Sequence, residues 1–216
     1  MTSYSPKHLP NSPTIIHFVR HGLVHNPKGI YYGRLPRYGL NAEGRTQAAH
    51  AGRYLAQRPI TAIFSSPMLR ARQTAAIVAH NHPSRLRPKI TKLINEVHSP
   101  FDGQPSSLME ARAWDLYSGT APEYEQPSDL VRRICSFFAH VRKNYAGNEI
   151  VAVSHGDVLV FATIWAHGLP SLQASKSELA KLMPDYYPAN ACVASFTFNS
   201  HNPQELPHYD YLKPYD

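Results

Sequence analysis

The sequence predicts an α/β protein, a sheet carrying helices on both faces. Three observations lead there. Short β-branched apolar runs alternate with amphipathic stretches of roughly 10 to 18 residues. Two of the runs stop abruptly at a His-Gly pair, His21-Gly22 and His155-Gly156. Nothing in the middle of the chain has the composition of a linker, so residues 1–216 read as one domain with polar ends at 1–13 and 199–216.

The first strand is Thr14-Ile15-Ile16-His17-Phe18-Val19, six residues of mostly β-branched and apolar character. A loop rich in Gly, Pro and Tyr runs from 26 to 41. Residues 43–57 then read as a helix, with Ala48, Ala51, Gly52 and Leu55 near one face and Asn41 as its cap. Residues 60–64 form a second strand. Pro67 suits the first position of the next helix, which extends to about residue 80. A weaker run, 89–97, holds the third strand. Helical patterns return at 107–117 and at 128–145, the latter with a stripe of Leu130, Ile134, Phe137, Phe138 and Val141. Residues 149–153 are a fourth strand, 158–167 an apolar helix and 176–183 a short helix. Residues 192–198 are β-prone and fall at or near a sheet edge. The Tyr-rich end, with Tyr209, Tyr211 and Tyr215, is compatible with a loose tail or with a segment lying across the body.

Composition narrows the function. Two cysteines, Cys135 and Cys192, stand far apart and outside any CxxC, which speaks against a disulfide framework or a thiolate metal site and suits a reduced, cytoplasmic protein. No apolar run is long enough to cross a membrane, and 1–13 lacks the apolar centre of a signal peptide. The net charge of +7 suits an anionic partner. The basic residues are scattered, with no run of five, so a small anionic phosphorylated substrate is favoured over nucleic acid. Thirteen histidines call for a site, yet none has an HExxH-type metal spacing. His17, inside a strand, reads as a satisfied sheet histidine rather than a ligand.

Open α/β sheets bind ligands beyond the carboxyl ends of their strands. Arg20 and His21 follow the first strand, Glu96 lies near the third and His155 follows the fourth. Arg70 is one turn into the helix after the second. Two guanidiniums supply planar, bidentate donors for a doubly charged oxyanion. Helix starts near Pro67 and Gly156 add backbone N–H groups. A histidine there can attack phosphorus through one ring nitrogen while its other nitrogen is held. A second histidine can stabilise the developing charge, and a carboxyl group can protonate the leaving alkoxide. Arginines nearby oppose that proton on Glu96, so burial and bound phosphate have to restore it.

Val19-Arg20-His21-Gly22 resembles the signature of the histidine phosphatase superfamily, which includes the cofactor-dependent phosphoglycerate mutases. Gly33-Arg34, the run 40–48, the run 65–75, Leu93-Ile94-Asn95-Glu96 and Val153-Ser154-His155-Gly156 are similar to further motifs of that family, in the same order. The resemblance implies a three-layer α/β/α sandwich with a mostly parallel sheet, and chemistry without metal or other cofactor. It implies His21 as the nucleophile that becomes phosphohistidine, Arg20 and Arg70 as phosphate clamps, His155 as the second pocket histidine and Glu96 as proton donor. Arg34 is a further phosphate-site candidate. The His-Gly pair resembles the branch of mutases and small-metabolite phosphatases.

Two departures stand out. Val24 and Pro27 occupy positions where the family commonly has Thr and Asn, leaving Asn26 as a displaced phosphate contact. Val97-His98-Ser99-Pro100-Phe101-Asp102-Gly103 replaces the family's usual segment after the acid, which makes Asp102 and His98 alternative donors. Tyr31 and Tyr32 are candidates for the mouth of the site. The reading is a metal-independent phosphomonoesterase acting through phosphohistidine on a small phosphorylated metabolite. A phosphoglycerate mutase is the alternative, disfavoured because the 57 residues between Glu96 and Ser154 leave little room for a closing insertion. A non-catalytic phosphoryl-ligand or phosphopeptide module is the other.

Overall fold

The structure, a computed structural model, describes residues 12–169 and 187–215. Among the described residues six strands form one sheet in the order β3-β2-β4-β1-β5-β6. They are β1 (Thr14–Arg20), β2 (Ile60–Ser65), β3 (Lys89–Ile90), β4 (Glu149–Ser154), β5 (Val193–Phe198) and β6 (His208–Leu212). The pairs β2–β3, β2–β4 and β1–β4 are parallel, whereas β5 and β6 add antiparallel. The expected mostly parallel sheet is therefore present, with an antiparallel margin.

Helices cover both faces. α1 (Ala42–Leu55) and α2 (Leu69–Asn81) lie on one, with Val19, Ile63, Val151 and Val193 of the sheet. α4 (Pro127–Asn144) and α5 (Gly156–Ala166) lie on the other, with Ile16, Phe18, Ile150 and Phe196. Alternate residues of β1 and β4 thus feed opposite cores, which explains why these strands read as continuous apolar runs. Phe18 sits at the centre of the second core, edge-on to Phe137, Phe138 and Phe196. The short α3 (Ser106–Ala111) lies outside these layers in sequence, between β3 and α4.

Local differences from expectation have local causes. Pro67 precedes α2 rather than opening it; Met68 is the cap, and its N–H donates to Ser66 Oγ at 3.3 Å. The run 89–97 contains only two strand residues. Thr91 then caps a 3₁₀ turn at Lys92–Ile94 through Leu93 N–H, and Asn95 Oδ1 receives Glu96 N–H. The helix expected over 107–117 ends at Ala111, before Ala113 and Trp114 adopt φ of 52° and 58°. The end assigned as polar, 199–216, contains β6 instead, so this segment lies across the body. The helix expected at 176–183 falls outside the described residues. His17 is buried and satisfied, with Nε2 on Glu149 at 2.9 Å and Nδ1 on Ser195 at 2.8 Å.

Candidate active site

The carboxyl ends of β1, β2 and β4 bring the separated motifs together. β1 delivers Arg20 and, one residue on, His21. β4 delivers His155, whose backbone opens α5. Arg70 is the second residue of α2, after β2. Glu96 follows the 3₁₀ turn. The adjacent β1–β4 pairing aligns Arg20 with Ser154, which sets the two histidine rings 5.3 Å apart.

His21 is 2 % exposed. Its Nδ1 is 2.8 Å from the carbonyl of Gly22. A carbonyl only accepts, so Nδ1 carries the proton and Nε2 keeps its lone pair. Burial, followed by Arg70, His155 and Arg20, holds the imidazole well below its ordinary pKa. His21 is thus a neutral base at neutral pH. Its backbone is fixed from the far end of the chain: Asn190 donates to its carbonyl at 3.1 Å, and Tyr215 donates to the Asn190 carbonyl at 2.7 Å.

Arg70 is fully buried. Its Nη2 serves Gly33 O at 2.8 Å, Glu96 Oε2 at 3.0 Å and His155 Nδ1 at 3.2 Å. Its Nε and Nη1 have no hydrogen-bond partner among the described residues, and neither does Arg20 Nε. The Tyr32 ring packs on the Arg70 guanidinium, 4.7 Å away, and Tyr187 similarly meets Arg20 at 4.9 Å. Buried guanidinium N–H groups without partners are suited to an oxyanion, because an unpartnered buried N–H is costly until an acceptor arrives.

Ser66 Oγ lies 2.7 Å from His155 Nε2 and 3.1 Å from Asn95 Oδ1. His155 Nδ1 faces Arg70 and, at 3.2 Å, Glu96 Oε2. Burial pulls the His155 pKa down to about 4, against the raising effect of Glu96. For Glu96, burial acts to raise the pKa, but His155 and Arg70 outweigh it and hold the carboxyl well below its usual range. His21, Glu96 and His155 offer donor atoms within 4.8 Å of one another, close enough for a cation. Arg70, hydrogen-bonded to two of the three, sets a permanent positive charge there and favours an anion.

A cavity of about 1050 Å³ opens above this group, lined by Arg20, His21, Asn26, Tyr31, Tyr32 and Glu96 at its inner end. Asn26 lines it, but its amide is engaged with both backbone groups of Ile30. Arg70 and His155 lie behind these residues and are not in the lining, and nor is Arg34. Its Nε donates to the Glu96 carbonyl at 2.8 Å and its Nη2 to Glu125 at 2.9 Å, so it holds the Glu96 loop from behind. Asp102 and His98 also lie outside the lining. Asp102 receives Arg34 N–H, and His98 is exposed against Tyr124. The sequence reading missed Ser66, Glu125, Asn190 and Tyr187 as members of the site. Ser66 stood inside a quoted motif; the other three come from segments with no local signal.

The fold and this group define a class: an α/β protein that gathers guanidiniums and imidazoles at the carboxyl ends of parallel strands. The chain belongs to the histidine phosphatase superfamily (branch 1), whose model matches residues 16–206. It is 38 % identical over 150 residues to an uncharacterized protein of Mycobacterium tuberculosis, covering 66 % of this chain and 73 % of the relative. It is 24 % identical over 160 residues to the uncharacterized phosphatase PhoE of Bacillus subtilis, covering 74 % and 75 %. The mycobacterial glucosyl-3-phosphoglycerate phosphatase superposes with a TM-score of 0.70 at 20 % identity, over 92 % of this chain and 97 % of that one, a likeness of fold. Among the described residues no helix is long and apolar enough to cross a membrane.

Proposed function

We propose that the protein is a metal-independent phosphomonoesterase acting through phosphohistidine at His21. The observation that carries this is the fully buried Arg70 guanidinium, with Nε and Nη1 uncommitted, beside the histidine pocket. Such a group is stabilised by an arriving oxyanion, and a phosphoryl group supplies the paired acceptors that its planar fork matches. In the first step His21 Nε2 attacks phosphorus, the P–N bond forms and the P–O bond to the alcohol breaks. Arg20, Arg70 and His155 offset charge on the phosphoryl oxygens. The departing alkoxide takes a proton from Glu96. A bound dianion beside Glu96 adds negative charge and raises its affinity for that proton, which the resting site holds low. In the second step the Glu96 carboxylate accepts a proton from water, whose oxygen attacks phosphorus and breaks the P–N bond.

Phosphate release from a panel of phosphomonoesters in EDTA is the test. Turnover that survives EDTA and disappears in His21→Ala, with an acid-labile phosphoenzyme in quenched wild type, is the expected result. Phosphoglycerate interconversion without release would point to a mutase. Phosphate binding without turnover would leave a binding module.

A further inference from the structure

The cavity above His21 has two ends of opposite character. Arg20, His21 and Glu96 form the inner end. The outer end is walled by Trp114, Leu116, Tyr117, Val160, Phe161 and Ile164. Tyr117 and Phe161 meet edge to face, 5.5 Å between ring centres. Cavities of about 300–1,000 Å³ accept drug-sized ligands, so the 1050 Å³ here exceeds what a phosphoryl group on a short chain fills.

Trp114 is the unusual member. It is 49 % exposed, and both it and Ala113 are in the left-handed region. Bulky side chains rarely adopt that backbone, and such strain concentrates at ligand sites. Hydrogen bonds hold it: Ala113 N–H to Glu110 O at 2.9 Å, Trp114 N–H to Met109 O at 2.8 Å. The result is a large indole standing in water at the mouth of a substrate cavity.

The other charged groups of the lining are acidic. They are Asp115 and Asp157; Asp157, two residues after His155, accepts from Tyr117 and from Tyr187, whose ring meets Arg20. Arg20 is the cavity's one lining cation among the described residues, and it belongs to the inner end. A carboxylate or second phosphate placed beside the apolar wall would meet Asp115 and no lining cation among the described residues. An uncharged ring would exchange water for aromatic and aliphatic walls.

We infer that the substrate is a phosphomonoester of a bulky, ring-bearing alcohol that carries no second anionic group. This rests on the phosphatase reading and narrows it away from phosphoglycerates and sugar bisphosphates. Trp114 is the residue that sets the preference.

The test compares kcat/KM for 2-(1-naphthyl)ethyl phosphate, ethyl phosphate and 3-phosphoglycerate. The first two share leaving-group chemistry and differ in the ring. The naphthyl ester is expected to exceed ethyl phosphate by about tenfold or more, as removal of apolar contacts from a specificity pocket commonly costs. 3-Phosphoglycerate should be the poorest of the three. In Trp114→Gly, whose backbone suits the left-handed position, the naphthyl-to-ethyl ratio should fall towards one. A wild-type ratio of one or less, a ratio unmoved by that substitution, or a preference for 3-phosphoglycerate overturns the inference while the phosphatase reading stands. Release from none of the three esters overturns both.

Discussion

At the scale of residues, each candidate catalytic group is held by a neighbour that does not line the cavity. Gly22 pins His21, Ser66 pins His155, and Glu96 is held through its carbonyl by Arg34, with Arg133 3.5 Å away. Glu125 unites this last arrangement. Its carboxylate takes Arg34 at 2.9 Å, Arg133 at 2.8 Å and the N–H of His98 at 2.8 Å. Glu125→Gln keeps the shape and removes the charge that gathers two guanidiniums. We expect kcat to fall by about tenfold as Glu96 loses its fixed position, with KM nearly unchanged because Glu125 is not in the cavity lining. A fall in KM-controlled binding with intact kcat would refute that role. Arg20, His21, Arg70 and His155 were legible in the sequence because each sits directly at a strand end or helix start, whereas Glu96, after a 3₁₀ turn, stood out through its place in a family motif. Glu125 was not legible, since its partners are 91 and 8 residues away.

At the scale of elements, the position of His21 depends on how closely α1 approaches the chain leaving β1. Asn41 caps α1 through Gly44 N–H at 2.7 Å, and Gln47 holds Leu23 N–H at 3.0 Å. The approach is so tight that a Cβ on Gly44 would fall 2.0 Å from the carbonyl oxygen of Leu23, and one on Gly22 would fall 2.2 Å from that of Gly44. Both obstacles are backbone, so neither can swing aside. Gly44→Ala should therefore destabilise the protein by about 1–3 kcal/mol, the usual range for overpacking, and depress activity at temperatures where it remains folded. Thermal unfolding beside a turnover assay reads both; an unchanged melting temperature would refute the close approach. The pattern of apolar residues revealed α1, α4 and the central strands, whose burial is periodic. It did not reveal β6, where His208–Leu212 mixes polar and aromatic residues at the sheet margin and is held by pairing with β5. Edge strands are specified by their partner more than by their own sequence.

At the scale of the whole molecule, the site is a concentration of burial against charge. Folding carries His21 and His155 into the interior as neutral rings beside a permanent guanidinium, and burial is the leading cause in both. The unfolded chain leaves those rings free to protonate below about pH 6.5. A group whose pKa is lowered by folding stabilises the native state above its unfolded pKa, and that contribution erodes as pH falls towards the folded value. For His155, with 6.5 lowered to about 4, this amounts to roughly 3 kcal/mol, and His21 acts in the same direction. Asp102 and Asp157, raised by burial, act with the opposite sign and offset part of this loss as the pH falls. The melting temperature should fall between pH 6.5 and 5 by several degrees for a chain of this size, the two imidazoles outweighing that offset. Phosphate bound at the site should raise the melting temperature at each pH by mass action. A melting temperature flat from pH 7 to 5 would mean that the two imidazoles titrate as they do in water, and the resting His21 would then lose its neutral nucleophile just below pH 6.5.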